Sequence, residues 1–126
     1  MFAAFHANAC SCMEVSLDKN YTNSDYVIIA KAIKVDETHQ YPESKSIKGM
    51  IHGFKSVFQI IKVYKGEIIS DTIEVDSGFS TCSVEFIQGE TYIIFGIRKN
   101  EFYFTNMCDR TRSAALSPDI EVLNRR

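Results

Sequence analysis

Two cysteines separated by one residue, Cys10-Ser11-Cys12, stand close to the beginning of the chain, and only two more follow, Cys82 and Cys108. Four cysteines in a small, exported-looking chain predict two disulfides. Joining Cys10 to Cys12 would close a very tight, strained ring, so that pairing is set aside. In extended backbone, residues two apart point to the same side. Cys10 and Cys12 can therefore reach two neighbouring strands or loops and tie the N-terminal segment down twice. Which of Cys82 and Cys108 each one meets stays open on this reasoning. Either choice closes loops of roughly 70 to 100 residues, each worth about 4 kcal/mol in the chain-entropy account. A zinc site is the competing use of four cysteines, but it calls for C-x-x-C pairs or a Cys/His cluster, and neither occurs.

The residues before the pair, Met1 to Ala9, end in Ala7-Asn8-Ala9. That A-x-A pattern suits signal peptidase, although a basic n-region and a full apolar h-region are lacking. Met1–Ala9 is read as the remnant of a signal peptide or a disordered tail. Residues 10–126 are read as one domain of a secreted or extracytoplasmic protein. A cut after Ala9 would leave Cys10 with a free α-amine beside its own carbonyl, a bidentate ligand for a metal held by another protein.

At 126 residues the chain has room for a single core. A formal charge of −2 offers no broad attraction to nucleic acid or anionic lipid. The longest apolar run, Tyr92 to Ile97, suits a strand, so no membrane span is expected. The remaining patterns are also those of strands. Tyr26 to Val35 is β-rich after the polar turn Asn23-Ser24-Asp25. Asp36 to Ser46 is a loop containing Pro42. Ile47 to Tyr64 is a long β-prone stretch with a bend expected near Gly49 and Gly53, and Lys65-Gly66 ends it. Asp71 to Asp76 alternates as a half-buried strand does. Glu90 to Ile97, a turn over Arg98–Glu101 and a return strand Phe102–Met107 form a hairpin that delivers Cys108. A turn or two of helix is expected over Glu14–Asn20. A short terminal helix running to Arg126 is expected behind Ser117-Pro118, with Ser117 as cap and Pro118 at the first helical position. The expectation is a mainly β fold: a five-stranded, OB-like closed barrel with one or two short helices, stapled by two disulfides.

Several stretches together resemble the N-terminal domain of the tissue inhibitors of metalloproteinases, within the wider netrin-like module. Cys10-Ser11-Cys12 is similar to their leading C-x-C, and Asn23 to Ala32 to their N-S-D-x-V-x-x-A-K segment. Phe58 to Gly66, ending Val63-Tyr64-Lys65-Gly66, resembles their Y-K-G strand end. Ser80-Thr81-Cys82 resembles a small-x-Cys connector, and Phe86 to Gly96 with Thr105 to Cys108 resembles their last hairpin. The likeness spans roughly Cys10 to Arg112. It departs where those inhibitors place a third cysteine before N-S-D, since Tyr21-Thr22 stands there instead. The likeness is to the first domain of the animal inhibitors and does not extend to their cysteine-rich second domain.

The resemblance implies the pairing Cys10–Cys82 and Cys12–Cys108. It also implies a mechanism in which the Cys10 amine and carbonyl chelate a partner protease's zinc. Ser11 would then enter the specificity pocket, with Cys12 and Met13 along the cleft. Ser80, Thr81 and Cys82 would buttress the ridge. On this reading the protein is a monomeric inhibitor of a zinc metalloprotease, not an enzyme, with no cofactor or metal of its own. The alternative is a netrin-like protein-binding module without inhibitory activity.

Other sites are weaker. His6, His39 and His52 are scattered and read as surface residues. No catalytic Ser/His/Asp or Cys/His spacing is present. Asp71, Glu74 and Asp76 read as the solvated face of a strand. Phe54, Phe58, Tyr64 and Tyr103 could stack on bases, but aromatics of a small barrel belong first to its core, and the acidic balance argues against nucleic acid. Asn20-Tyr21-Thr22 fits the N-glycosylation pattern.

Overall fold

A computed structural model describes residues 12–13, 15–35, 55–77, 84–106 and 108–126. Six strands and two short helices appear among them. Helix α1 (Leu17–Asn23) precedes β1 (Tyr26–Val35), β2 (Lys55–Lys65), β3 (Thr72–Asp76), β4 (Thr91–Lys99), β5 (Phe102–Phe104) and β6 (Arg112–Ser113). A 3-10 turn (Ala114–Leu116) and helix α2 (Asp119–Asn124) end the chain. The strands are hydrogen-bonded in the order β1-β2-β3-β5-β4, and β4 pairs back onto β1. That return closes a five-stranded barrel, as expected from the sequence. All contacts around it are antiparallel except β3 with β5, a short parallel seam in which Val75 faces Tyr103 and Asp76 faces Phe104.

Strand β1 is central because both its edges are used. Its Val27-Ile28-Ile29 run has the branched side chains that suit a pleated surface. Tyr26, Ile28, Ala30 and Ala32 point into the barrel and meet Phe58, Ile73, Val75, Phe86, Tyr92 and Ile94. Edge-to-face rings fill this interior, Phe58 on Phe86 at 4.7 Å and Phe86 on Tyr92 at 4.8 Å between centroids. The register between β1 and β2 shifts three times, so the pair coils instead of running flat. The bend expected near Gly49 and Gly53 lies outside the described residues, as do the Asp36–Ser46 loop, Phe54 and the three histidines.

The apolar run in β4 is buried on both faces. Tyr92 and Ile94 enter the barrel, whereas Ile93 and Phe95 face outward and join Val27 and Leu123 in a second cluster. Leu17, Tyr21, Tyr64 and Ile120 cover that cluster, so α1 and α2 pack side by side on the outside of the barrel. Gly96 ends the buried run. A Cβ there would collide with the Phe104 carbonyl and come within 2.7 Å of the Tyr26 hydroxyl. The absent side chain lets that hydroxyl donate to the Phe104 carbonyl at 3.1 Å.

Some boundaries differ from expectation. The hairpin turn is Asn100-Glu101 alone. Arg98 and Lys99 extend β4, because the Arg98 N–H donates to the Asp25 carboxylate at 2.8 Å and its guanidinium lies over the Tyr103 ring. Asn100 supplies the left-handed residue that so short a turn needs, at φ 61°. The return strand stops at Phe104, not Met107, since the Thr105 hydroxyl turns back to the Phe95 carbonyl at 2.7 Å. The first helix lies three residues later than read, because Ser16 caps it by accepting the Lys19 N–H. In the second helix Pro118, not Ser117, occupies the cap position, although the Ser117 hydroxyl still accepts the Asp119 N–H at 3.1 Å. Of the aromatics considered for base stacking, Phe58 is fully buried, and Tyr103 packs edge-on against Tyr26.

Candidate functional site

The expected site residues meet the structure at one end, where Cys12 is bonded to Cys108 across 96 residues with 5.3 Å between their Cα atoms. This is the pairing that the family resemblance implied. Cys10, Ser11, Ser80, Thr81 and Cys82 lie outside the described residues, so the second expected bridge does too. Met13, next to the anchored cysteine, is 85% exposed.

The strip that receives Cys12 runs from Thr105 to Thr111. It leaves the barrel because β4 pairs with β5 through Ile97–Lys99 and with β6 through Tyr92 and Ile93, leaving Phe95 between them. Two threonines satisfy Phe95. Thr105 donates to its carbonyl, and the Thr111 hydroxyl accepts its N–H at 2.8 Å; the hydroxyls are themselves 2.8 Å apart. Both side chains are buried, so these bonds complete an otherwise unpaired strand edge. Between the threonines the chain turns tightly. The Cys108 N–H donates to the Asn106 side chain at 2.7 Å, and the Asp109 N–H to the Asn106 carbonyl at 3.1 Å.

Arg110 is the hub of the strip. Its guanidinium grips Asp119 of α2 in a two-pronged ion pair, Nε to Oδ2 at 2.6 Å and Nη2 to Oδ1 at 2.9 Å. The Asp119 side chain is only 4% exposed. A third guanidinium bond runs from Nη1 to the Val15 carbonyl at 2.8 Å. The Arg110 backbone N–H donates to the Asn20 side chain of α1 at 3.0 Å. Asn20 also hydrogen-bonds Asp109, whose carboxyl burial pushes above its ordinary 3.8, against the opposing effect of bonds from Asn106, Asn20 and Thr105. Desolvation, helped by the same half-buried carboxylate, holds the Tyr26 phenol well above its usual value.

Asn20 has a part in the fold. The glycosylation pattern begins on it, yet its side chain is 7% exposed and serves both Arg110 and Asp109. It is a structural asparagine. The carboxylates at β3 divide, Asp71 just before the strand and Glu74 within it being exposed and Asp76 half-buried. No group of three His, Cys, Asp or Glu side chains among the described residues could hold a metal ion.

The family profile described as Tissue inhibitor of metalloproteinase matches residues 8–115. The chain belongs to that family. The match takes in the C-x-C segment, the whole barrel and the Thr105–Thr111 strip. No curated protein matches the chain. Membership supports a metalloproteinase inhibitor at the family level, in a family whose members are inhibitors, not enzymes, and bind metalloproteinases. Members of the tissue inhibitor family are secreted, and no described helix of this one is long and apolar enough to cross a membrane.

Of the expected site residues the structure describes Cys12, bonded to Cys108, and exposed Met13, whereas Arg110, Asp119, Thr105 and Thr111 were not among those the sequence singled out for the site. The nearest signal was an arginine two residues after a cysteine expected to be bridged, and its acidic partner lies nine residues further on without periodicity.

Proposed function

We propose that the protein is a secreted, monomeric inhibitor of a zinc metalloproteinase that acts through its N-terminal segment once Met1–Ala9 have been removed. The Cys10 α-amine and carbonyl take the open position on the enzyme's zinc and displace its water. The amine, with an ordinary pKa of about 7.7–8.0, is readily deprotonated for that bond. Ser11 enters the adjoining pocket, shallowly because it is small, and Cys12 and Met13 run along the cleft. Ser80-Thr81-Cys82 support the ridge from beneath.

The observation that carries this reading is the almost fully exposed Met13 beside a cysteine bonded to the barrel, in a chain of this family. An exposed apolar side chain on an anchored segment suits a contact surface, because little freedom is left to lose on binding.

The test is inhibition of a zinc metalloproteinase catalytic domain by the chain beginning at Cys10, its N-acetylated form, a Ser11→Arg variant and the chain beginning at Met1. The free-amine form should inhibit, and blocking the amine should weaken it by about 100-fold or more, equivalent to roughly 2.7 kcal/mol. The bulkier Ser11→Arg side chain should shift the preference among proteases. Equal potency of all four forms would exclude chelation. Specific protein capture without inhibition would favour the netrin-like binding module.

A further inference from the structure

The N-terminal segment is held at two places, and both holders lie on one strip. Cys108 takes Cys12 through the disulfide, and two residues later the Arg110 guanidinium takes the Val15 carbonyl at 2.8 Å. Exposed Met13 lies between these anchors. The disulfide fixes Cys12, α1 begins behind Ser16, and the bond to Val15 holds the short stretch between them against the strip, which sets its direction.

We propose that Arg110 is a positioning residue for inhibition: with Cys108 it sets the direction in which the segment carrying Cys10 and Met13 leaves the barrel. This rests on the reading above of that segment as the inhibitory one. Arg110 is suited to the task because its own orientation is fixed. Two of its nitrogens are committed to the buried Asp119 at the start of α2, and its backbone N–H is committed to Asn20 of α1. A guanidinium locked by a fork to one carboxylate still has a nitrogen left for Val15, which a lysine ammonium cannot reproduce with the same geometry. The hub also ties α1 to α2 through Asn20 and Asp119.

The lever is short. Cys10 lies two residues beyond Cys12, about 7 Å in extended chain. A pivot of some 10° moves it by roughly 1 Å, and a misplacement of that size at a reacting centre costs up to about 100-fold. Because the expected bridge from Cys10 limits this freedom, the predicted effect is smaller, about tenfold in the inhibition constant.

The experiment compares the chain beginning at Cys10 as wild type, Arg110→Gln, Arg110→Lys and Val75→Ala. Val75 is a buried residue of the barrel interior, so its truncation serves as the control for general destabilisation. Two quantities are read: the inhibition constant, and amide exchange at Asn20 and Ser24, which are hydrogen-bonded to the Ser16 and Asn20 carbonyls. Arg110→Gln should raise exchange at both amides by about tenfold or more and weaken inhibition about tenfold, with Arg110→Lys between it and wild type. Val75→Ala should lower the melting temperature and leave the inhibition constant of the folded protein unchanged. Unchanged exchange in Arg110→Gln overturns the clamp, whatever inhibition does. Raised exchange with undiminished inhibition overturns its part in inhibition. Raised exchange in a protein whose wild type inhibits no metalloproteinase supports the clamp and refutes the inhibitory reading on its own.

Discussion

The barrel interior and the Thr105–Thr111 strip are built from opposite chemistries. The interior is aliphatic side chains and aromatic rings, Phe58, Phe86 and Tyr92 meeting edge to face and Tyr26 meeting Tyr103 likewise, with Phe58, Val75 and Ile94 fully buried. The strip has a disulfide, a forked ion pair and two buried hydroxyls, and the Asn20 amide of α1 serves two of its residues. Apolar packing is non-directional and tolerates small shifts, so it suits a region whose task is to stay folded. Hydrogen bonds and covalent links are directional, and their partners are lost if the geometry moves. They suit a region that must hold a neighbouring segment in one orientation. The two regions meet at β4, whose Ile94 belongs to the interior and whose Phe95 backbone is completed by the strip's threonines.

The sharpest way to break this division is to remove the covalent element. Replacing both Cys12 and Cys108 by serine releases a loop of 96 residues, which in the chain-entropy account removes about 4–5 kcal/mol of stability. For a domain with a total of about 5–15 kcal/mol, that is a large share. Urea unfolding should show it, and potency should fall further than stability alone explains, since the segment loses its first anchor. A loss under about 1 kcal/mol with potency intact would mean that the bridge does neither job.

Truncating the interior tests the other half. Phe58→Ala removes a fully buried ring in contact with Phe86 and Tyr92, with an expected loss of about 3–5 kcal/mol. At temperatures where the variant remains folded, its inhibition constant should match wild type. A parallel fall in potency, measured on the folded fraction, would show that the two regions are not separable.

Their legibility in the sequence divides the same way. The strands of the barrel could be read because burial writes itself as local pattern. The branched run from Val27 stands out between polar residues, and β1 spans the residues expected, Tyr26 to Val35. Ile73 and Val75 alternate with exposed neighbours in β3. The run from Tyr92 could be seen to be a strand, but the cover on its second face comes from Leu17 and Leu123, far away in the chain. The strip left little trace. Arg98 resembled a turn residue because its partner, Asp25, is 73 positions away. Asn20 matched a modification pattern, whereas its actual role depends on Arg110, 90 positions on. Spacing alone left two cysteine pairings open, and only the resemblance to a family favoured one.

The smallest predicted effect tests whether the strip carries a built-in electrostatic cost. Asp109 keeps its proton to higher pH in the folded protein than in the unfolded chain, because desolvation of the carboxylate outweighs its hydrogen bonds. The folded state therefore binds more protons than the unfolded state over the window that opens near 3.8 and closes above the raised value. Across it this group's contribution to stability falls as pH rises, and it is complete only below the unfolded value. Asp109→Asn has no such titration and still offers an oxygen to the Asn106 N–H. Urea unfolding of both proteins through this window should show the variant gaining on wild type as pH increases, with a constant difference beyond it. A difference independent of pH throughout would place the Asp109 carboxylate in water. The burial that raises its pKa would then be absent, and with it the closed, desolvated character of the strip on which the positioning of the N-terminal segment depends.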